Sequence, residues 1–232
     1  MGKKGELHSE PQLPVNSSAA AWSPPASVDD TPRPFHLQPS MPQLLSIQAA
    51  SAQRVMINGR MVLTAIHKRP VSGAVALQPL GLQGDEQADL SVHGGLDKAV
   101  YAYPSEHYPL WQAARQAAGL TDIDDALPWG SMGENLTLSG LLEREVWVGD
   151  VLRFANCALR VTQPREPCYK FNAALGFNTA VKTMAQQGCC GFYLAVQEPG
   201  SLQAGESFEV IPGKRGMGIP ESFRAKMDKN LR

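Results

Sequence analysis

The chain has 232 residues with 21 basic and 22 acidic side chains, a net charge of −1. That length suits one large domain or two small ones, and the charge balance gives no electrostatic case for binding nucleic acid or a membrane surface. With 43% hydrophobic and 19% charged residues, the composition is that of a globular protein, and no apolar run reaches the length of a transmembrane helix.

Residues 1–42 hold eight of the eighteen prolines, with many Ser, Ala and Gln and no hydrophobic period. Such a segment cannot bury enough apolar surface to offset chain entropy, and a disordered tail is expected. Lys3 and Lys4 are followed by no apolar core, which argues against a signal peptide. Glu6 stands where myristoylation needs Ser or Thr. Order is expected from Gln43, with a strand over 44–48. Two further strands, 53–57 and 60–64, flank Asn58-Gly59, the strongest short hairpin signal.

A short strand fits 73–77, and Gly84-Asp85-Glu86-Gln87 then reads as a loop. His93-Gly94-Gly95 pairs a titratable ring with two residues that allow close backbone approach, and Asp97-Lys98-Ala99 follows. A strand over 100–103 leads to a helix that Ser105 can cap, running to about Ala118 with Tyr108 and Trp111 on its core face. Gly133-Glu134-Asn135-Leu136 opens another apolar run. Strands are expected at 146–148 and 151–154 around Gly149-Asp150, then at 158–163. Helices fit 169–175 and 179–187, and strands fit 192–197 and 207–211. The basic stretch 213–232 reads as a surface tail or helix. Many short strands with few helices predict a mainly β (α+β) architecture, a barrel with inserted helices.

The chemistry concentrates in Pro164-Arg165-Glu166-Pro167-Cys168-Tyr169-Lys170. Two prolines stiffen this loop, and Cys168 falls where a strand ends and a helix begins. Arg165, Lys170 and a helix N-terminus would all favour a thiolate, the form that acts as nucleophile or metal ligand. The bland alternative is a small hydrophobe packed at a junction. The four cysteines show no C-x-x-C spacing and no His cluster, so a structural zinc site is not expected, and their number fits a reducing cytoplasm.

Taken in order, the segments Gly84 to Gln87, His93 to Ala99, Gly133 to Leu136, Gly149-Asp150 and Pro164 to Lys170 closely resemble the MOSC family, named for the C-terminal domain of molybdenum-cofactor sulfurase. The likeness spans residues 43–212 and is nearest to the bacterial type that confers resistance to 6-hydroxylaminopurine. It implies a MOSC-type β-barrel holding the molybdenum cofactor (molybdopterin), with Cys168 as metal ligand or sulfur carrier. His93 and Glu134 match the polar partners of that cysteine, for proton transfer and orientation. Arg165, Lys98, Lys170 and Asn135 become candidates for binding the cofactor, the cations facing its phosphate. Pyridoxal phosphate is not expected. The implied reaction is reduction of small N-hydroxylated compounds, such as N-hydroxylated bases, to amines.

Two features depart from the resemblance: the proline-rich start, and the absence of any cysteine after Cys190 that could hold an iron–sulfur cluster. No nicotinamide or flavin motif is visible, so a separate electron-donor reductase is the expected partner. Two other readings stand beside this one. The protein could carry the cofactor or its sulfur without turnover, or Cys168 with His93 could form a cofactor-free cysteine enzyme.

Overall fold

The computed structural model describes residues 41–88, 94–120 and 126–230. The first half holds β1 (Gln43–Ala49), β2 (Gln53–Ile57), β3 (Arg60–Thr64), β4 (Arg69–Pro70), β5 (Val75–Gln78), β6 (Gly81–Leu82), β7 (Val100–Pro104) and α1 (Tyr108–Ala117). The second holds β8 (Leu136–Ser139), β9 (Val151–Arg153), β10 (Ala158–Pro164), α2 (Tyr169–Leu175), α3 (Ala180–Gln187), β11 (Phe192–Glu198), β12 (Gly200–Leu202), β13 (Glu209–Ile211) and α4 (Ile219–Asn230).

Eight strands form one sheet in the order β13-β9-β10-β11-β7-β8-β1-β4, antiparallel throughout except for the parallel pair β7–β8. Gln43 of β1 bridges Ser207, and Leu44 exchanges backbone hydrogen bonds with Gly205 and Glu206. That contact brings β1 to the segment entering β13, at the opposite side of the sheet, and closes the barrel. The mainly β architecture with inserted helices is therefore the one observed. β2 and β3 form the expected hairpin, with Asn58 at φ 50° and Gly59 at φ 76°, both in the positive region a tight turn of this kind requires. No helix among the described residues is long and apolar enough to cross a membrane.

β7 is the organising strand. All five of its residues are buried, as suits a strand covered on both faces. Period-2 alternation puts Tyr101 and Tyr103 on one side. The Tyr101 hydroxyl donates to the Cys190 carbonyl at 2.9 Å and the Tyr103 hydroxyl to that of Cys189 at 3.1 Å. Gly191 follows at φ +62°, where an added Cβ would lie 2.4 Å from the Ala102 carbonyl oxygen. Gly191→Ala should therefore cost about 2 kcal/mol through left-handed strain and backbone displacement. Thermal melting should show this as a fall of roughly 4–8 °C; an unchanged midpoint would mean that the strand yields freely.

Three local expectations change. Residues 146–148 form no strand, only a single bridge from Trp147 to Gly218, because the buried Asp150 carboxylate turns back to accept the Trp147 N–H at 2.9 Å. Ser105 caps nothing; a 3-10 turn over Ser105–His107 precedes α1, and Tyr108 and Trp111 pack in the core as expected. The basic C-terminal stretch takes the helical form, and α4 is anchored by Ile219 and Phe223, at 0% and 1% exposure.

Candidate functional site

β10 carries a register shift between Val161 and Gln163, then ends at Pro164. The chain runs extended to Cys168, at φ −123° and ψ 173°, which is the N-cap residue of α2. The strand–helix junction expected for the cysteine is thus where it lies. Of the four cysteines only Cys168 is partly exposed. Burial pushes the Cys157 thiol up to about 11 and that of Cys189 up to about 12, and it raises that of Cys190 well above the usual range. These three are core residues; Cys168 faces a cavity.

That cavity has a volume of about 100 Å³ and opens to solvent. Its walls come from stretches far apart in sequence, and they include Lys68, Lys98, Arg165 and Lys170 beside Cys168. Asp85 and Glu86 lie on the same lining, so both signs of charge face the cavity.

Arg165 is 5% exposed, with its guanidinium 5.2 Å from the Tyr101 ring centroid and 4.7 Å from that of Phe171. Guanidinium stays charged in proteins, and no carboxylate pairs with it among the described residues. Aromatic faces stabilise such a cation only in part, so the cavity beside it favours an anion. Lys98 stands 5.8 Å from the Tyr193 ring centroid. Lys170 donates to the Leu63 carbonyl at 3.1 Å and so ties the end of the hairpin to α2.

A second charged group pairs residues that no sequence motif joins. Lys68 follows the β2–β3 hairpin, and its side chain, 8% exposed, pairs with that of Asp85, 6% exposed. Burial lowers the Lys68 ammonium from the usual lysine range, and the Asp85 carboxylate works against that. Asp85 also accepts from the Ala50 N–H at 2.9 Å and from Asn135 Nδ2 at 2.8 Å. Asn135 accepts from the Tyr101 N–H at 3.0 Å. This chain of contacts locks β1, the Asp85 loop, β7 and the start of β8 around the cavity. Only a lysine just past a hairpin hinted at it.

Glu134 does not reach the cavity lining. It is fully buried, and its carboxylate accepts from the Tyr108 hydroxyl, the Gly130 N–H at 2.8 Å, the Met132 N–H at 3.1 Å and the Thr137 hydroxyl at 2.9 Å. It holds the turn before β8 rather than facing Cys168. His93 lies outside the described residues. The structure thus brings Cys168, Arg165, Lys98, Lys170 and Asn135 to one cavity. Among the described residues no group of three His, Cys, Asp or Glu side chains could hold a metal ion by itself.

The sequence model of the MOSC domain matches residues 89–209. The chain belongs to the MOSC family. YflK of Bacillus subtilis is 38% identical over 177 residues, covering 76% of each chain. YiiM of Escherichia coli is 38% identical over 159 residues, 68% of this chain and 69% of its own. A Gibberella moniliformis protein named as a reductase is 30% identical over 169 residues, 72% of this chain but 29% of its own length. The crystal structure of YiiM from Geobacillus stearothermophilus superposes with a TM-score of 0.64 at 29% identity, covering 82% of this chain and 86% of that one. That of Escherichia coli YiiM gives 0.60 at 27% identity, covering 79% and 76%. MOSC membership associates the chain with molybdenum-cofactor chemistry at the level of the family.

Proposed function

We propose that this MOSC protein binds a molybdenum-bearing pterin cofactor through Cys168 and reduces small N-hydroxylated compounds to amines. The observation that carries the proposal is Arg165, a buried cation without a carboxylate partner among the described residues, three residues before the one partly exposed cysteine on the same cavity wall. A soft sulfur donor and a desolvated guanidinium in one open cavity suit a sulfur-rich metal centre that also carries a phosphate. Lys68, Lys98 and Lys170 would complete the cationic wall. Asn135 would act indirectly, by holding Asp85 in place to pair with Lys68.

Bound there, the cofactor would supply the redox chemistry of N–O cleavage. The balance is R–NHOH plus two electrons and two protons giving R–NH2 and water. His93 is assigned proton delivery, and Glu134 is assigned the positioning of the turn that precedes Asn135. Electrons are assigned to a separate reductase, since the sequence shows no nicotinamide, flavin or iron–sulfur motif. Neither nucleic acid nor a membrane is a proposed partner, and the assigned compartment is the cytoplasm.

Protein from a host that makes the cofactor should contain molybdenum and pterin in equal amounts. It should reduce an N-hydroxylated base with a chemical reductant or an added reductase, and be inactive with NADPH alone. Absence of both metal and pterin would sink the proposal. Metal without turnover under any reductant would favour a carrier, and turnover with NADPH alone would mean that the chain takes up reducing equivalents itself.

A further inference from the structure

α4 begins at Ile219, beyond the matched MOSC stretch that ends at 209, yet it reaches back to the cysteine loop. Lys226 Nζ donates to Gln163 Oε1 at 2.9 Å and to the Glu166 carboxylate. Gln163 is the penultimate residue of β10, and Glu166 stands two residues before Cys168. Pro164 and Pro167 have no N–H to offer, so side-chain contacts carry much of what holds this loop. Arg165 points inward between Tyr101 and Phe171, and Glu166 points outward to α4, as successive residues of an extended chain do. The helix that supplies Lys226 is fixed independently by Ile219 and Phe223 in the core.

We infer that Lys226 is a positioning residue for Cys168: it clamps both ends of the Gln163–Glu166 segment from outside and so sets where the cysteine enters the cavity. The significance of this clamp rests on the reading of Cys168 as the cofactor ligand, but the clamp itself does not.

The rate at which a thiol reagent labels Cys168, with hydrogen–deuterium exchange of the 219–230 peptide as control, tests it on the full chain made without cofactor. In Lys226→Met labelling of Cys168 should be about fivefold faster, the scale set by loss of one good partly exposed ion pair, while the α4 peptide exchanges as in the parent. Lys226→Arg should restore the rate to within about twofold of the parent, since a guanidinium can still reach both acceptors. An unchanged or slower labelling rate in Lys226→Met overturns the inference. So does faster exchange of α4, which would make Lys226 an anchor of the helix. If Lys226→Met does not fold, Glu166→Ala decides, because it leaves the core anchors of α4 intact: faster labelling supports the clamp and an unchanged rate overturns it. A clamped Cys168 in a protein that binds no molybdenum would sink the proposed function and leave this inference standing.

Discussion

Cys168→Ser should yield a folded protein without molybdenum. Cys168 is only partly buried and sits at a junction where it makes no side-chain cap, so exchange for a hydroxyl of similar shape should cost under about 1 kcal/mol. The hard hydroxyl, however, replaces the soft donor that a sulfur-rich metal centre requires, and a group held by one protein ligand is lost with it. Serine at Cys157, Cys189 or Cys190 should do the reverse. Those sites are buried, and a hydroxyl there costs about 1–3 kcal/mol unless it finds a partner, while bound metal stays. Metal analysis and thermal melting of the four variants separate the two patterns. Full molybdenum occupancy in Cys168→Ser would end the assignment.

Glu134→Gln is expected to damage the fold before it damages the chemistry. The carboxylate is fully buried and accepts from two main-chain N–H groups and two hydroxyls. An amide offers one oxygen, and its NH2 would face at least one donor. Orphaning a buried donor and deleting charge-assisted bonds together should cost about 4 kcal/mol. In a chain of this length that lowers the melting midpoint by roughly 8–16 °C. Proton transfer would leave a different signature: an unchanged midpoint with turnover reduced by about a hundredfold, and that outcome would return Glu134 to the reaction.

These two residues show why the sequence was readable at one and misleading at the other. Cys168 is bracketed by prolines at short range, so its place at a strand–helix junction follows from local rules. Glu134 was assigned to the site by its motif position in the family resemblance, which says nothing of the partners its carboxylate finds. Its partners at 108, 130, 132 and 137 converge only after α1 and β8 have packed. Lys68 is the extreme case, since its partner Asp85 lies 17 residues away and Asp85's partner Asn135 a further 50. Elements with a local cause were legible: the Asn58-Gly59 hairpin, the apolar strand β7, and α2 and α3. Trp147 was misread because its neighbours alternate like a strand, whereas a carboxylate three residues later decides the backbone path.

The burial of Cys157, Cys189 and Cys190 makes the native protein a monothiol toward solvent. In protein made without the cofactor, a colorimetric thiol reagent should count one sulfhydryl in native buffer and four once denaturant opens the barrel. The slow appearance of the other three then reports how often the barrel opens. A spectroscopic label added under mild conditions would go to Cys168 alone, at the mouth of the cavity, with no engineered background.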